Sequence, residues 1–453
     1  MTAPARRAAY DVLRANELNR EDLATILDRT QQSLKDQRDC RLAFEIILGV
    51  LRWRSALDHI IGQLSSRPFG AIDAAVLNIL RTAIYQLLNL DRVPRYAVVT
   101  DAVSLTREIG VSSASGFVNA ILRSLTEGRV NISLPEPPED AYASYSCRTK
   151  ALEYLSITLS HPRWLVERWL ERYGWSATSA WARFNNQPAR TIVRSTGHGL
   201  TRSSLRTALA HYNVLTEPTR LSPHGLVVTK GNPTKTPLAA DGKFSIQEEA
   251  SQLIANLIEP SQQGLLLDLC AAPGGKTVSL TADHPDAFVV ASDLRARRLS
   301  LLKQAITRLK LERVAVVQLD ATARLPFQRI FRGVLVDAPC SGLGVIRRDP
   351  DIRWKRTEQD LLELVVTQRK ILRNAAAVVR PGGWLIYATC SSEPEENEEV
   401  VQHFLECHPD FVVRPPLSAS LSSMIDENGF FSTLPYRDGV DAFFGAALQR
   451  KIF

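Results

Sequence analysis

Six cysteines, Cys40, Cys147, Cys270, Cys340, Cys390 and Cys407, are spread through 453 residues, with no CxxC pair and no histidine at zinc-ligand spacing. That pattern argues against a disulfide framework and against a structural zinc, and no metal site is expected. Most of these thiols read as buried and reduced, but two stand apart. Val334-Leu335-Val336-Asp337-Ala338-Pro339-Cys340-Ser341-Gly342-Leu343-Gly344 puts an Asp and a Cys just past a buried strand. Arg380-Pro381-Gly382-Gly383-Trp384-Leu385-Ile386-Tyr387-Ala388-Thr389-Cys390-Ser391 is a turn, a strand and a Cys at the strand's carboxyl end. A single cysteine in such a place is usually an inert core thiol. Two at the ligand edge of one sheet, each beside small or hydroxyl residues, can converge on one substrate as a reactive pair.

The run Asp268-Leu269-Cys270-Ala271-Ala272-Pro273-Gly274-Gly275-Lys276-Thr277 follows an apolar strand and opens a helix. A Gly-rich turn there lets backbone N–H groups approach a ligand at the helix N-terminus. Two ligands suit it. Gly275-Lys276-Thr277 has the ending of the phosphate-binding loop G-x-x-x-x-G-K-[ST], but the first glycine of that pattern falls at Cys270, so the match is incomplete. The other ligand is an adenosine. Phe288-Val289-Val290-Ala291-Ser292-Asp293 is a strand ending in an acid, 18 residues after Gly275, placed to hold the two hydroxyls of a ribose. Asp320 closes Val316-Val317-Gln318-Leu319 and could accept from an adenine amino group. A single Asp at a strand end is commonly a helix cap; two at successive strand ends, after a glycine loop, favour the adenosine.

An adenosine cofactor, an acid and two thiols together suit one reaction well. Carbon 5 of cytosine is a poor nucleophile. A thiolate adding to carbon 6 turns the ring into an enamine, and carbon 5 can then attack an activated methyl group. An acid helps by hydrogen bonding to N3 and the amino edge as charge develops. A base must then remove the carbon-5 proton so that the thiolate can leave, and a second cysteine can assist that release. The attacking thiol needs nearby positive charge to ionise near neutral pH.

The elements that must position these residues read as three folded parts and a linker. Residues 1–130 carry apolar positions at helical spacing, as in Leu42, Ile46, Val50 and Trp53, or Val76, Leu80, Ile84 and Leu87, and predict an all-α bundle of six or seven helices. Residues 131–150, with Leu134-Pro135-Glu136-Pro137-Pro138-Glu139-Asp140, read as a Pro-rich acidic linker. Residues 151–240 read as a small α+β domain, with helices after His161-Pro162 and over Ser203–His211 and strands at Thr191–Arg194 and Gly225–Thr229. Residues 241–453 alternate strand and helix, with strands Leu265–Leu269, Ala287–Ser292, Val314–Gln318, Val334–Asp337 and Trp384–Ala388 and helices Arg295–Leu309 and Glu358–Val379. This is an α/β, Rossmann-like domain with a mostly parallel sheet covered by helices on both faces, whose ligand crevice lies at the strands' carboxyl ends.

Composition sets the outer limits. The chain carries 55 Lys and Arg against 48 Asp and Glu, a formal charge of +7. Residues 151–240 hold 11 Lys and Arg against 4 Asp and Glu, a basic segment suited to a polyanion. Its Arg163, Arg168, Arg172 and Arg183 are candidates for gripping phosphates, while Trp164, Trp169 and Trp175 read as core. Average Gly and Pro usage excludes a collagen-like or disordered chain. With no 18-residue apolar run a membrane-spanning helix is not expected, nor is a signal peptide, since no apolar segment follows Met1 to Arg7.

Three motifs, Asp268–Thr277, Asp337–Gly344 and Ala388–Ser391, resemble those of the Nop2/Sun (Fmu) RNA 5-methylcytosine methyltransferases, and Arg347-Arg348-Asp349-Pro350-Asp351-Ile352-Arg353-Trp354 is similar to that family's signature after the Asp-Ala-Pro-Cys motif. Asp39–Trp53 and Phe117-Val118-Asn119-Ala120-Ile121-Leu122-Arg123 resemble a NusB-like helical RNA-binding domain fused to one bacterial branch, and His161–Gly174 and Gln187-Pro188 the small RNA-binding domain that follows it. The resemblance covers nearly the whole chain. It implies S-adenosyl-L-methionine as cofactor and 16S ribosomal RNA, or its assembly intermediate, as partner, in a cytoplasmic, monomeric enzyme. Residue by residue, Cys270, Ala271, Ala272, Pro273, Gly274, Gly275 and Lys276 would line the cofactor loop, Asp293 hold the ribose and Asp320 sit near the adenine. Asp337 would orient the cytosine and border the cofactor's methionine end. The family, not the spacing, makes Cys390 the nucleophile and Cys340 the residue promoting release. The chain departs from the family's usual Asn at Ser195, its frequent His at Asp349 and its usual Gly at Ala442. Two other readings remain: a nucleotide triphosphatase using Gly275-Lys276-Thr277 with Asp337 as magnesium ligand, and a non-catalytic RNA-binding or assembly protein.

Overall fold

The computed structural model describes residues 2–18, 22–139, 141–196, 200–259, 264–416 and 421–452; Met1 and Asp140, used in the sequence reading, lie outside them. The chain divides into two compact units, Met1–Gln187 with Asp349–Lys355, and Pro188–Arg348 with Arg356–Phe453. The borders read from composition, at 130, 150 and 240, differ from this division. No helix among the described residues is long and apolar enough to cross a membrane.

In the first unit the described residues between Pro4 and Thr126 form seven α-helices: Pro4–Glu17, Leu23–Ser33, Gln37–Arg52, Arg54–Leu64, Ala74–Asn89, Arg95–Glu108 and Ser115–Thr126. Their apolar stripes meet in one core that includes Ile46, Val50, Leu80, Ile84 and Leu122. Asp22, Asp36 and Asp73 each accept a backbone N–H at a helix start, satisfying donors that a helix leaves free. The end of the expected linker is helical. Tyr145–Glu153 is capped by Ser144, whose hydroxyl accepts from the Cys147 N–H, because the prolines that forbid helix stop at Pro138. The helix Arg163–Asn185 begins after Pro162 and is interrupted at Gly174, where φ is +81°. Trp169 stacks on Trp181 with centroids 4.5 Å apart, and both are buried. Arg183 lies over the Tyr154 ring and donates to its hydroxyl.

Asp349–Lys355 belongs to this helical unit although the sequence around it does not. Arg353 is fully buried and donates to Ser160 O at 2.8 Å and Asn186 Oδ1 at 2.9 Å. Trp354 Nε1 donates to Leu51 O at 2.6 Å. Asp349 is mostly buried here, and burial pushes its carboxyl up to about 6.

The second unit holds two sheets. β1 (Ile192–Ser195), β2 (Leu215–Pro218), β3 (Gly225–Lys230) and β4 (Phe244–Ile246) form an antiparallel sheet in the order β2-β3-β1-β4. The helix Arg202–His211 covers it, setting Leu205 and Leu209 against Val193, Leu226 and Phe244. β4 lies beyond residue 240, so this sheet outruns the basic segment that marked the small domain.

The larger sheet contains β5 (Gly264–Leu269), β6 (Ala287–Asp293), β7 (Val314–Gln318), β8 (Phe331–Asp337) and β9 (Val379–Thr389), parallel in the order β9-β8-β5-β6-β7. β10 (Phe411–Val413), β11 (Phe431–Thr433) and β12 (Phe443–Arg450) add an antiparallel edge, with β12 against β9. Alternate strand residues feed opposite faces: Leu267 and Val334 enter one core and Leu266 and Leu335 another, as a sheet buried on both sides requires. After β7 the chain returns to the far side of β5, so the order in which strands are added reverses between β5 and β8. That crevice, at the carboxyl ends, is where such folds hold ligands.

Candidate active site

The loop after β5 is shaped by two left-handed residues. Cys270 has φ +60° and Gly274 φ +110°. A Cβ at Gly274 would lie 2.8 Å from Leu302 Cδ1 of the helix Ala296–Arg308, and the left-handed backbone there is what favours glycine. Gly274 opens the helix Gly275–Asp283. Ala271 N donates to Ser292 O at 2.8 Å, tying the loop to β6. Burial pushes the Cys270 thiol up to about 12, which suits a lining residue and not a nucleophile. Asp293, ending β6, accepts from Ala272 N at 3.3 Å and from Arg295 N at 3.1 Å. Asp320 is exposed, and its Oδ1 accepts from the N–H and the hydroxyl of Thr322. It closes a local turn, and the two bonds hold its carboxyl below the usual range.

Beneath the loop, Asp268 is fully buried and accepts from Thr277 Oγ1 at 2.6 Å, while its Oδ1 has no partner among the described residues. Burial pushes this carboxyl up to about 7. In an unfolded chain it ionises near about 4. Between those values the folded chain binds the extra proton, so this group makes stability fall as pH rises. Asp268→Asn keeps an acceptor for Thr277. Its stability should therefore improve relative to wild type as pH rises from about 4 to about 7, read as urea midpoints; a difference that does not change with pH would contradict this.

The ends of β8 and β9 are in register, Asp337 beside Ala388. Asp337 Oδ2 accepts from Lys276 Nζ at 2.8 Å. Lys276 is nearly buried and its Nζ lies 5.3 Å from the centre of the Phe443 ring. Burial alone would lower the lysine, but the charge and hydrogen bond of Asp337, then the Cys390 sulfur, outweigh it and the ammonium is held above its usual range. Cys340 Sγ and Cys390 Sγ are 3.3 Å apart, and Cys390 N donates to Cys340 Sγ at 3.4 Å. The hydrogen bond to Cys390, then burial, push the Cys340 thiol well up. Cys340 is thus the thiol held protonated, in contact with a Cys390 sulfur that has the Lys276 ammonium in its surroundings. The two thiols are brought together, and Lys276, read from sequence only as loop lining, joins them.

Gly344 fastens the two cysteine loops. Its N–H donates to Cys390 O at 2.9 Å and its carbonyl accepts from Ala442 N at 3.0 Å. A Cβ there would meet Ala442 O at 2.2 Å and Cys390 O at 2.8 Å, both backbone atoms that cannot swing aside. Gly344→Ala should cost about 1–3 kcal/mol, read from urea unfolding; wild-type stability would contradict the tight threading. Ala442, where relatives of the resembled family usually have Gly, does not take a positive φ, so its methyl imposes no backbone strain. Ser195 is buried at the end of β1 and donates to Leu200 O.

Sequence reasoning missed the polar group under the thiols. Ser341, Ser391, Gln368 and Glu396 form one buried hydrogen-bonded cluster. The serines were visible as the residue after each cysteine. Glu396 sits in Glu393-Pro394-Glu395-Glu396-Asn397-Glu398-Glu399 and reads as acidic surface. Among the described residues no cluster of three His, Cys, Asp or Glu could hold a metal ion.

Residues 255–449 match the family model for 16S rRNA methyltransferase RsmB/F, residues 3–127 that of the NusB family, and residues 161–235 that of the RsmF/B-like ferredoxin-like domain. A ribosomal RNA small subunit methyltransferase B of Pasteurella multocida is 31% identical over 442 residues, covering 95% of this chain and 93% of that protein. Among solved structures, that of PH0851 superposes with a TM-score of 0.81 at 24% identity, over 99% of both chains. NSun6 from Pyrococcus horikoshii, solved with SFG, has a TM-score of 0.56 at 19% identity, over 64% of this chain and 99% of that one.

Proposed function

We propose, since the chain belongs to the RsmB/F family of 16S rRNA methyltransferases, that it methylates carbon 5 of a cytosine in that RNA, using S-adenosylmethionine and a transient bond from Cys390 to the base. Membership makes it a methyltransferase and not a nucleotide triphosphatase. The observation that carries the finer reading is the pair of sulfurs 3.3 Å apart at the ends of adjacent strands, next to the Lys276–Asp337 ion pair. We place the enzyme in the cytoplasm, where ribosomal RNA is made.

The residues at the ends of β5 and β6 fit S-adenosylmethionine. Gly274 carries no side chain into the loop, the first turn of a helix such as Gly275–Asp283 points N–H groups outward, and the Asp268 Oδ1 below is buried without a partner among the described residues. Cys270 to Lys276 would line the group, Asp293 hold its ribose, Asp320 lie near the adenine and Asp337 border the methionine end. NSun6 of Pyrococcus horikoshii binds SFG, an analogue of that cofactor. When bound, the cofactor supplies a methyl group activated by a sulfonium.

The chain's own residues do the rest. Lys276 keeps positive charge near Cys390, and Cys340 holds the pair's proton. The Cys390 thiolate bonds to carbon 6 and the displaced electron pair moves to carbon 5. Asp337 hydrogen bonds the base edge as charge develops there. After carbon 5 is methylated, its proton passes to a base. The electrons re-form the ring double bond and the sulfur–carbon 6 bond breaks. The Cys340 S–H donates to the departing thiolate, restoring the resting pair. A cytosine in a stack cannot reach these sulfurs, so it must be flipped or single-stranded.

Bisulfite sequencing of 16S rRNA incubated with the enzyme and S-adenosylmethionine tests the assignment. One cytosine should become resistant to conversion. Transfer of labelled methyl to the RNA with every cytosine still converted would contradict it.

A further inference from the structure

Glu396 is completely buried, and the mechanism above does not use it. Its Oε1 accepts from Ser341 N at 2.8 Å and Gln368 Nε2 at 2.9 Å. Its Oε2 accepts from the hydroxyls of Ser341 and Ser391, which are themselves 3.1 Å apart. A carboxylate offers about four acceptor directions, and all are taken. Ser341 directly follows Cys340 and Ser391 directly follows Cys390, so one side chain grips both loops next to their sulfurs. The grip is itself anchored: Tyr387 OH donates to Glu396 O at 2.6 Å, and Gln368 Nε2 also donates to Pro339 O at 3.0 Å.

We propose that Glu396 is a positioning residue that clasps the two cysteine loops and sets the spacing of their sulfurs for reaction. This rests on the two-thiol reading of the site. Burying a carboxyl group costs several kcal/mol unless hydrogen bonds compensate it, and a seryl or aliphatic core would hold two loops together without that cost. The charge has a second use. After the hydrogen bond to Cys390 and burial, Glu396 is among the influences that keep Cys340 protonated.

Two variants separate geometry from charge. Glu396→Ala removes all four contacts. Glu396→Gln can still accept from Ser341 N and Gln368 with its oxygen, while its NH2 faces the serine hydroxyls, which turn to accept. Phenylarsine oxide, which bridges two thiols held a few ångströms apart, reads the sulfur spacing without any catalysis. Wild type should be captured as one arsenical linking Cys340 to Cys390, shown by mass spectrometry. Glu396→Ala should be captured at least about tenfold more slowly and lose about a hundredfold in kcat with KM for RNA unchanged, the penalty of about 1 Å of misplacement. Glu396→Gln should restore capture and most of kcat, with its pH profile displaced because the charge beside Cys340 is gone. If Glu396→Ala does not fold, the double variant Ser341→Ala with Ser391→Ala opens the same clasp and should slow capture likewise. Wild-type capture rates in Glu396→Ala, or in the serine pair, would overturn the clasp and leave the two-thiol chemistry standing. Conversely, if the wild type modifies no cytosine while capture still depends on Glu396, the methylation reading falls and the clasp remains.

Discussion

Replacing Cys390 by alanine is expected to lower methyl transfer by at least about 10⁴-fold, the scale seen when a covalent nucleophile is removed. Carbon 5 of cytosine attacks a methyl donor only after a nucleophile has added to carbon 6, and no other group at the ends of β8 and β9 replaces that sulfur. Cys340, 3.3 Å away, is held protonated by its hydrogen bond to Cys390 and by burial. Losing Cys390 removes the hydrogen-bonding sulfur and leaves Cys340 a half-buried thiol with Glu396 as its charged neighbour. RNA affinity should change by no more than a few-fold, because contacts to phosphates and not to a single thiol carry most of the affinity for RNA. Single-turnover transfer of labelled methyl, with RNA binding measured in parallel, checks both halves. Full activity in Cys390→Ala would remove the mechanism.

Cys340→Ala should behave in the opposite sense. Attack and methylation do not need the second thiol, but departure of Cys390 does, because its thiolate leaves with a charge that the Cys340 S–H stabilises. A hydrogen bond to a charged group contributes about 1.5–3 kcal/mol, so release should slow about 10- to 100-fold. Denaturing gels should then show a protein–RNA band that depends on S-adenosylmethionine and is absent from wild type. Combining Cys340→Ala with Cys390→Ala should abolish the band, since nothing remains to form the bond. A band that survives in the double variant would place the linkage on another residue.

The parts of this site that the sequence made legible are those whose pattern and chemistry coincide. β5, β6, β8 and β9 are apolar runs, each ending in an acid or a cysteine, so both strand and strand end could be read. The loop glycines marked a close backbone approach, and Gly274 makes one. What escaped had a different physical origin. β12 is buried along Phe443–Leu448 on both faces, so it lacks the alternation that marks a strand, and its Gly-Ala-Ala centre has little strand propensity. β10 and β11 are three residues each, too short for any period. Glu396 was not singled out, because burial of a carboxyl is decided by tertiary donors, here two serines and Gln368, which no local pattern contains. The turn that Asp320 closes through Thr322 was not read either, since the same acid-at-strand-end pattern serves turn closure and ligand binding. Asp349–Lys355 packs with the helical unit, because Arg353 and Trp354 find their acceptors at Ser160, Asn186 and Leu51, far away in sequence.

RNA carrying 5-fluorocytosine provides the most direct test of the covalent chemistry, since fluorine at carbon 5 cannot leave as a proton and stops the reaction at the adduct. The trapped complex, digested and analysed by mass spectrometry, should show one methylated fluorocytosine joined to the peptide containing Cys390. Attachment through Cys340, or methyl transfer to cytosine RNA with no adduct formed on the fluorinated RNA, would contradict the account.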